Sequence, residues 1–226
     1  MHHALKIGHR GAAGHAPENT LAAVRKGIAL GVDFVEIDIR RTADGRLVVL
    51  HDATVNRTTD GKGRIESLWF QDLEKLDAGD GERIPTLAEV LKVATGKTGL
   101  MVELKIRGAG QQTVETVREA GFKGPVIYAS FFHDELTHMR KADPDASLMV
   151  LFGSLSRASV SRAIKYGSSY VGLPHNKATG PLVNSFHRAG LLVFVYTVND
   201  PDDIRRVLSL GVDGVISNFP DRIVNQ

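Results

Sequence analysis

Twice in this chain nearly the same six residues turn a helix into a strand: Ala29-Leu30-Gly31-Val32-Asp33-Phe34 and Ser209-Leu210-Gly211-Val212-Asp213-Gly214. The same grammar of helix end, glycine and β-rich run recurs at Ala120-Gly121, Tyr166-Gly167 and Ala189-Gly190. A glycine just past a helix accepts the left-handed conformation that ends it, so the next strand begins at once. The joints therefore predict repeated αβ units. Read through the chain, they place strands near 5–9, 33–39, 46–51, 99–105, 125–130, 147–152, 169–173, 191–197 and 213–217. Helical patterns fall near 18–30, 86–95, 110–120, 134–142, 156–166, 179–189 and 201–210, with a short one at the C-terminus. About eight strand–helix units close into a parallel (β/α)8, or TIM, barrel. The run at 46–51 is a ninth strand, joined by the Asp44-Gly45 turn and expected as an extension at the barrel mouth.

A length of 226 residues suits a single barrel domain, 1–226, at the small end of the range. The αβ pattern breaks between His51 and Pro85, which predicts an insertion at about 52–84 after the second strand and its extension. It carries a short amphipathic helix near 68–76, with Trp69 and Phe70 expected in the insertion's own core. So long an interruption at the C-terminal end of a strand is expected to overhang the mouth as a lid. A formal charge of +2, with scattered basic residues, argues against a nucleic-acid footprint. No cysteine is present, which excludes thiolate chemistry and suits a reducing compartment. With no signal-like N-terminus and no transmembrane segment in the pattern, a soluble cytoplasmic protein is expected. His2 and His3 are left out of the site.

Barrel chemistry sits at the C-terminal ends of the strands. In Val35-Glu36-Ile37-Asp38-Ile39 the two acids share one strand face and the three apolar residues the other. Such acids either face water or, in an apolar setting, gather around a cation. Strand one ends in Gly8-His9-Arg10-Gly11, the extension in His51-Asp52, and a later strand carries Glu103-Leu104-Lys105. Glu103 and Lys105 share a face and read either as a plain ion pair or as part of the site. Together Glu36, Asp38 and Glu103 offer hard oxygen ligands suited to Mg²⁺ or Ca²⁺. His9 and His51 titrate in the range for giving and taking protons, and Arg10 and Lys105 can grip an anionic, phosphoryl substrate. Asn19, near the start of the first helix, is expected to cap it, with a loop tether or a substrate contact as the alternatives. Asn199-Asp200-Pro201 reads as a helix start.

These residues fall into a wider set: His9-Arg10-Gly11, Pro17-Glu18-Asn19-Thr20, Glu36-x-Asp38, Val49-x-His51-Asp52, Arg57-Thr58-Thr59 with Gly61 and Gly63, Leu76-Asp77-Ala78-Gly79, Ile84-Pro85-Thr86-Leu87, Glu103-x-Lys105, Tyr196-Thr197-Val198-Asn199 and Gly211-Val212-Asp213-Gly214. From residue 7 to about 222 the chain resembles the glycerophosphodiester phosphodiesterases. The resemblance implies a barrel hydrolase that releases sn-glycerol 3-phosphate and an alcohol from a small glycerophosphodiester. It implies His9 and His51 as the acid/base pair, Glu36, Asp38 and Glu103 as ligands of Mg²⁺ or Ca²⁺, and Arg10 and Lys105 on the phosphate. Where the family usually has Trp before Thr-Val-Asn this chain has Tyr196, which alters the substrate-binding wall on the glycerol side. Two other readings are a lysophospholipase D-like phosphodiesterase and a phosphate-binding barrel without chemistry.

Overall fold

In the computed structural model, which describes residues 4–224, the predicted strands and helices alternate as expected. The strands are β1 (Leu5–Gly8), β2 (Phe34–Arg41), β3 (Leu47–Val49), β4 (Gly99–Leu104), β5 (Val126–Ser130), β6 (Ser147–Leu151), β7 (Tyr170–Pro174), β8 (Leu192–Tyr196) and β9 (Gly214–Ser217). The sheet runs β1-β9-β8-β7-β6-β5-β4-β2-β3, and a further pairing of β1 with β2 closes it. All the pairings are parallel except β2 with β3, so eight strands form a TIM barrel and β3 is an antiparallel addition. His2 and His3 lie outside the described residues.

Around the barrel run α1 (Leu21–Ala29), α2 (Phe70–Leu73), α3 (Leu87–Ala94), α4 (Gly110–Glu119), α5 (His133–Ala142), α6 (Ser159–Lys165), α7 (Gly180–His187) and α8 (Pro201–Ser209). At the two matching joints Gly31 has φ 68° and Gly211 φ 75°, a region that disfavours a side chain even where space is open. Helix starts are fixed by side chains. Thr20 accepts from the Ala23 amide, Thr86 and Glu89 form a capping box, and Asp200 caps α8 ahead of Pro201.

The strand alternation divides the core in two. Val35, Ile37, Ile39, Val102 and Leu104 face the helices, while Ile7, Phe34, Met101, Ile127, Met149 and Phe194 fill the barrel interior. On β2 the inward positions above Phe34 are Glu36 and Asp38, so the acids stand on a dry apolar floor.

The insertion has a third core, made of Val48, Leu50, Val55, Ile65, Leu73, Ala78 and Ile84. Its predicted helix shortens to the four residues of α2, preceded by a 3₁₀ turn at Ile65–Ser67. Trp69 departs from expectation, being 58% exposed. It precedes α2 in extended geometry (φ −80°, ψ 149°), and its side chain leaves the surface while Leu68, Phe70 and Leu73 turn to the core. Phe70 also lies under the Arg46 guanidinium, 5.2 Å from its ring centre. No helix of the described residues is long and apolar enough to cross a membrane.

Candidate active site

Register brings the acids together. β2 and β4 pair so that Asp38 lies directly opposite Glu103, and Glu36 sits two positions earlier on the same inward face. Ligand oxygens of all three lie within 4.8 Å of one another. Glu36 is 3% exposed and Asp38 1%. Like charges this close, in so little water, cannot all be held without compensation. Burial, then Asp38 and Glu103, raise Glu36 well above the usual carboxylate range. Burial and Asp38 push Glu103 up to about 7, against the pull of Lys105.

Part of the compensation is visible. Lys105 Nζ donates to Glu103 Oε1 at 2.6 Å and stands 3.7 Å from Asp38 Oδ1. Burial works against its charge, yet Glu103 and Asp38 prevail and raise it. Arg10 Nε lies 3.4 Å from Asp38 Oδ2, and the Arg10 backbone amide donates to Glu36 Oε2 at 2.8 Å. Glu36 Oε1 is buried with no hydrogen-bond partner among the described residues. An orphaned carboxylate oxygen on one member of a trio of buried acids fits a hard cation such as Mg²⁺ or Ca²⁺.

Asn19 does not cap α1, because Thr20 does. Instead Asn19 is buried and spends both ends of its amide on Asp38: Nδ2 donates to Oδ2 at 2.8 Å and Oδ1 accepts from the Asp38 amide at 3.3 Å. Both Asn19 (φ 59°) and Arg10 (φ 52°) occupy left-handed backbone, uncommon outside glycine and costing about 1–3 kcal/mol each where a tight site imposes it.

The histidines flank the acids. His9 Nε2 is 3.9 Å from Glu36 Oε2, and its Nδ1 meets Asn218 Oδ1 at 2.5 Å, which leaves the Nε2 lone pair toward the site. Burial and the neighbouring Arg10 push His9 down to about 4. His51 Nδ1 meets Asp52 Oδ1 at 2.7 Å, and the His51 carbonyl accepts from Arg40 Nε at 2.8 Å. Burial lowers His51 as well, but Asp38 and the Asp52 hydrogen bond act the other way.

Tyr196 closes another side of the mouth. Its hydroxyl donates to the Phe152 carbonyl at 2.8 Å, so only its ring is offered, edge-on to Phe131 at 6.0 Å. Phe131 is 39% exposed and its ring centre lies 5.6 Å from Lys105 Nζ. His175 faces Arg206 and Asp203 on the surface. Glu18, Arg40, Asp52, Arg57 and Asn218 carry no role that the sequence alone reveals, and Asn199, read there as part of a helix start, instead accepts from the Asn218 amide. Glu18 and Arg57 stand in recognisable motifs, but nothing in their spacing shows what they touch.

A closed parallel barrel whose C-terminal mouth gathers three acids, two imidazoles and two cations defines a class: barrel hydrolases of phosphoryl esters. A family model described as the Glycerophosphoryl diester phosphodiesterase family matches residues 9–222, and the chain belongs to that family. A glycerophosphodiester phosphodiesterase of Caldanaerobacter subterraneus is 32% identical over 98% of this chain and 96% of its own. One from Bacillus subtilis is 30% identical, covering 96% of this chain and 84% of its own. Among solved structures, an Oleispira antarctica phosphodiesterase in complex with the product sn-glycerol-3-phosphate is 30% identical with a TM-score of 0.90, over 96% of this chain and 94% of that one.

Proposed function

We propose that this chain hydrolyses glycerophosphodiesters to sn-glycerol 3-phosphate and an alcohol. In this reading Glu36, Asp38 and Glu103 hold a divalent cation, Mg²⁺ or Ca²⁺, and His9 and His51 move the protons. The observation that carries it is the meeting of three largely buried acids within 4.8 Å, one oxygen of them unsatisfied, beside an imidazole and two cationic side chains. An ion bound there would add positive charge for the phosphoryl oxygens as negative charge builds on them.

The chain's own groups do the rest. Arg10 and Lys105 neutralise the phosphate and orient it for in-line attack. Burial and the Arg10 charge favour the uncharged form of His9, so His9 Nε2 takes the proton of the attacking oxygen. A carboxylate backs His51 and supports its charged form, and the arriving anionic phosphate supports it further. His51 Nε2 therefore gives the proton to the leaving alcohol oxygen. The attacking oxygen is water or the substrate's own glycerol 2-hydroxyl, and the latter passes through a cyclic phosphate. The ring of Tyr196, with Phe131 beside it, walls the glycerol side, and Asn19 serves substrate through Asp38. The insertion at 52–84 acts as a lid on the His51 side. The absence of cysteine suits a reducing compartment, and we place the activity in the cytoplasm.

The test is a headgroup panel with product analysis, repeated after chelation and with each metal restored. Glycerophosphocholine should yield sn-glycerol 3-phosphate, and Glu36→Ala should abolish the EDTA-sensitive rate. Unchanged metal affinity in Glu36→Ala would refute its role as a ligand. A clear preference for lysophosphatidylcholine would reassign the substrate to lysophospholipids. No turnover on any diester would leave a phosphate-binding barrel without chemistry. Full activity on a 2-O-methyl glycerophosphodiester would exclude the cyclic route.

A further inference from the structure

We infer that Arg57, a residue of the insertion outside the acid cluster, is a positioning residue for the reaction: its guanidinium holds the two carboxylates on which His51 and Arg10 lean. Nε and Nη2 donate to Asp52 Oδ2 and Oδ1 at 2.7 and 3.1 Å. Nη1 and Nη2 donate to Glu18 Oε2 and Oε1 at 2.9 and 2.8 Å. All three nitrogens are thus engaged, in two bidentate pairs. The two oxygens that Nη2 touches are the ones the site uses. Asp52 Oδ1 takes the bond from His51 Nδ1 at 2.7 Å, and Glu18 Oε1 takes the bond from Arg10 Nη1 at 2.6 Å. One nitrogen therefore stands two hydrogen bonds from the imidazole and two from the phosphate-facing guanidinium.

An exposed ion pair on its own contributes about 0–1 kcal/mol, and the Arg57 side chain is 48% exposed. What sets this one apart is the order of its links, because each carboxylate orients a second group inside the site. Without Arg57 the Asp52 carboxylate is free to rotate away from His51, and Glu18 is free to draw Arg10 elsewhere. The anchor itself is rigid. Val55 is fully buried, its carbonyl accepts from the amide and hydroxyl of Thr59 at 3.1 and 2.8 Å, and its amide donates to Gly63 at 3.0 Å. The core of the insertion thereby fixes Arg57, and Arg57 fixes the side chains beyond it. A lysine supplies charge but not a fork, and cannot bridge two carboxylates in this way.

The inference rests on the phosphodiesterase reading, and its test separates the two. Kinetics of wild type, Arg57→Ala and Arg57→Lys are compared on glycerophosphocholine and on the p-nitrophenyl ester of glycerol phosphate. The expected result for Arg57→Ala is a kcat lower by about 100-fold on glycerophosphocholine, the scale of a catalytic group misplaced by about an ångström. The loss should be smaller on the p-nitrophenyl ester, whose leaving group needs little proton assistance, and KM should rise on both through Arg10. Millimolar guanidinium ion should restore part of the rate where sodium chloride at equal ionic strength does not. Arg57→Lys should fold normally and stay close to Arg57→Ala in kcat. Wild-type kinetics in either variant, or an equal loss on both substrates without guanidinium rescue, overturns the inference. If wild type itself turns over no diester, the functional reading falls, and the His51 Nδ1 proton observed by NMR decides. A hydrogen-bonded resonance lost in Arg57→Ala supports the positioning role, and an unchanged one overturns it.

Discussion

His9 and His51 serve one cluster of acids from unlike ground. His9 follows directly on a strand of the closed barrel, and its outer nitrogen meets the side-chain oxygen of Asn218, whose backbone amide donates to Asn199 Oδ1 at 2.9 Å. His51 follows the antiparallel strand β3, outside the barrel ring, and leans on Asp52 and the half-exposed Arg57. The barrel side is buried and backed by neutral amides. The insertion side is wetter and backed by charges. Burial lowers both imidazoles, but Arg10 adds to it at His9 while Asp38 and the Asp52 hydrogen bond oppose it at His51, and on that difference rests the proposed division into base and acid.

The sharpest break in that comparison is chemical. His9→Ala and His51→Ala should each lose about 10²–10⁴-fold in kcat on glycerophosphocholine. On a p-nitrophenyl diester His51→Ala should recover most of its loss and His9→Ala should not, as steady-state kinetics would show; the reverse pattern exchanges their roles. Next in size is Leu73→Ala, which empties part of the insertion core and should cost about 2–5 kcal/mol there. Limited proteolysis should then cut within 52–84 while calorimetry still detects metal bound to the acids of the barrel.

Metal itself should stabilise. Saturating Mg²⁺ or Ca²⁺, at about 100 times Kd, adds about 2.7 kcal/mol, read as a rise in Tm that Glu36→Gln removes. Asn218→Ala deletes one hydrogen bond behind His9 and should lower kcat about tenfold, equally for good and poor leaving groups. The smallest effect concerns acid. Burial acts upward on Glu18, but the Arg57 hydrogen bond and the Arg10 charge outweigh it and bring it from 4.5 down to about 2. A carboxylate depressed by folding stabilises the protein above its ordinary pKa, and that contribution is lost as pH falls from 4.5 through 2. Asp52, lowered mainly by Arg57, has the same sign. Chemical denaturation followed across this window should show a shallower loss in Arg57→Ala than in wild type.

The barrel could be read in the sequence because glycine marks the helix-to-strand joints, that between α5 and β6 excepted, and a β-rich run follows each one. Glu36 and Asp38 showed themselves as partners by period-two alternation, and the barrel brought Glu103 across. Side chains that act over long separations left no such trace. Asn218 meets His9 across 209 residues and Arg57 meets Glu18 across 39, inside an insertion with no period to follow. Asn19 was misjudged for a local reason: two residues able to cap stand side by side, and the choice of Thr20 depends on Asp38, which only the fold brings near. Trp69 was misplaced because a helical period was extended back over a residue that stays outside the helix.

The left-handed backbone of Arg10 and Asn19 has a consequence for anyone who breeds this protein. Glycine would occupy either position without backbone strain, yet Arg10→Gly or Asn19→Gly would strip a partner from the buried Asp38 carboxylate, so the relief of strain is outweighed by the charge left uncompensated. Thermal screening and activity screening of one library should therefore agree in keeping both side chains.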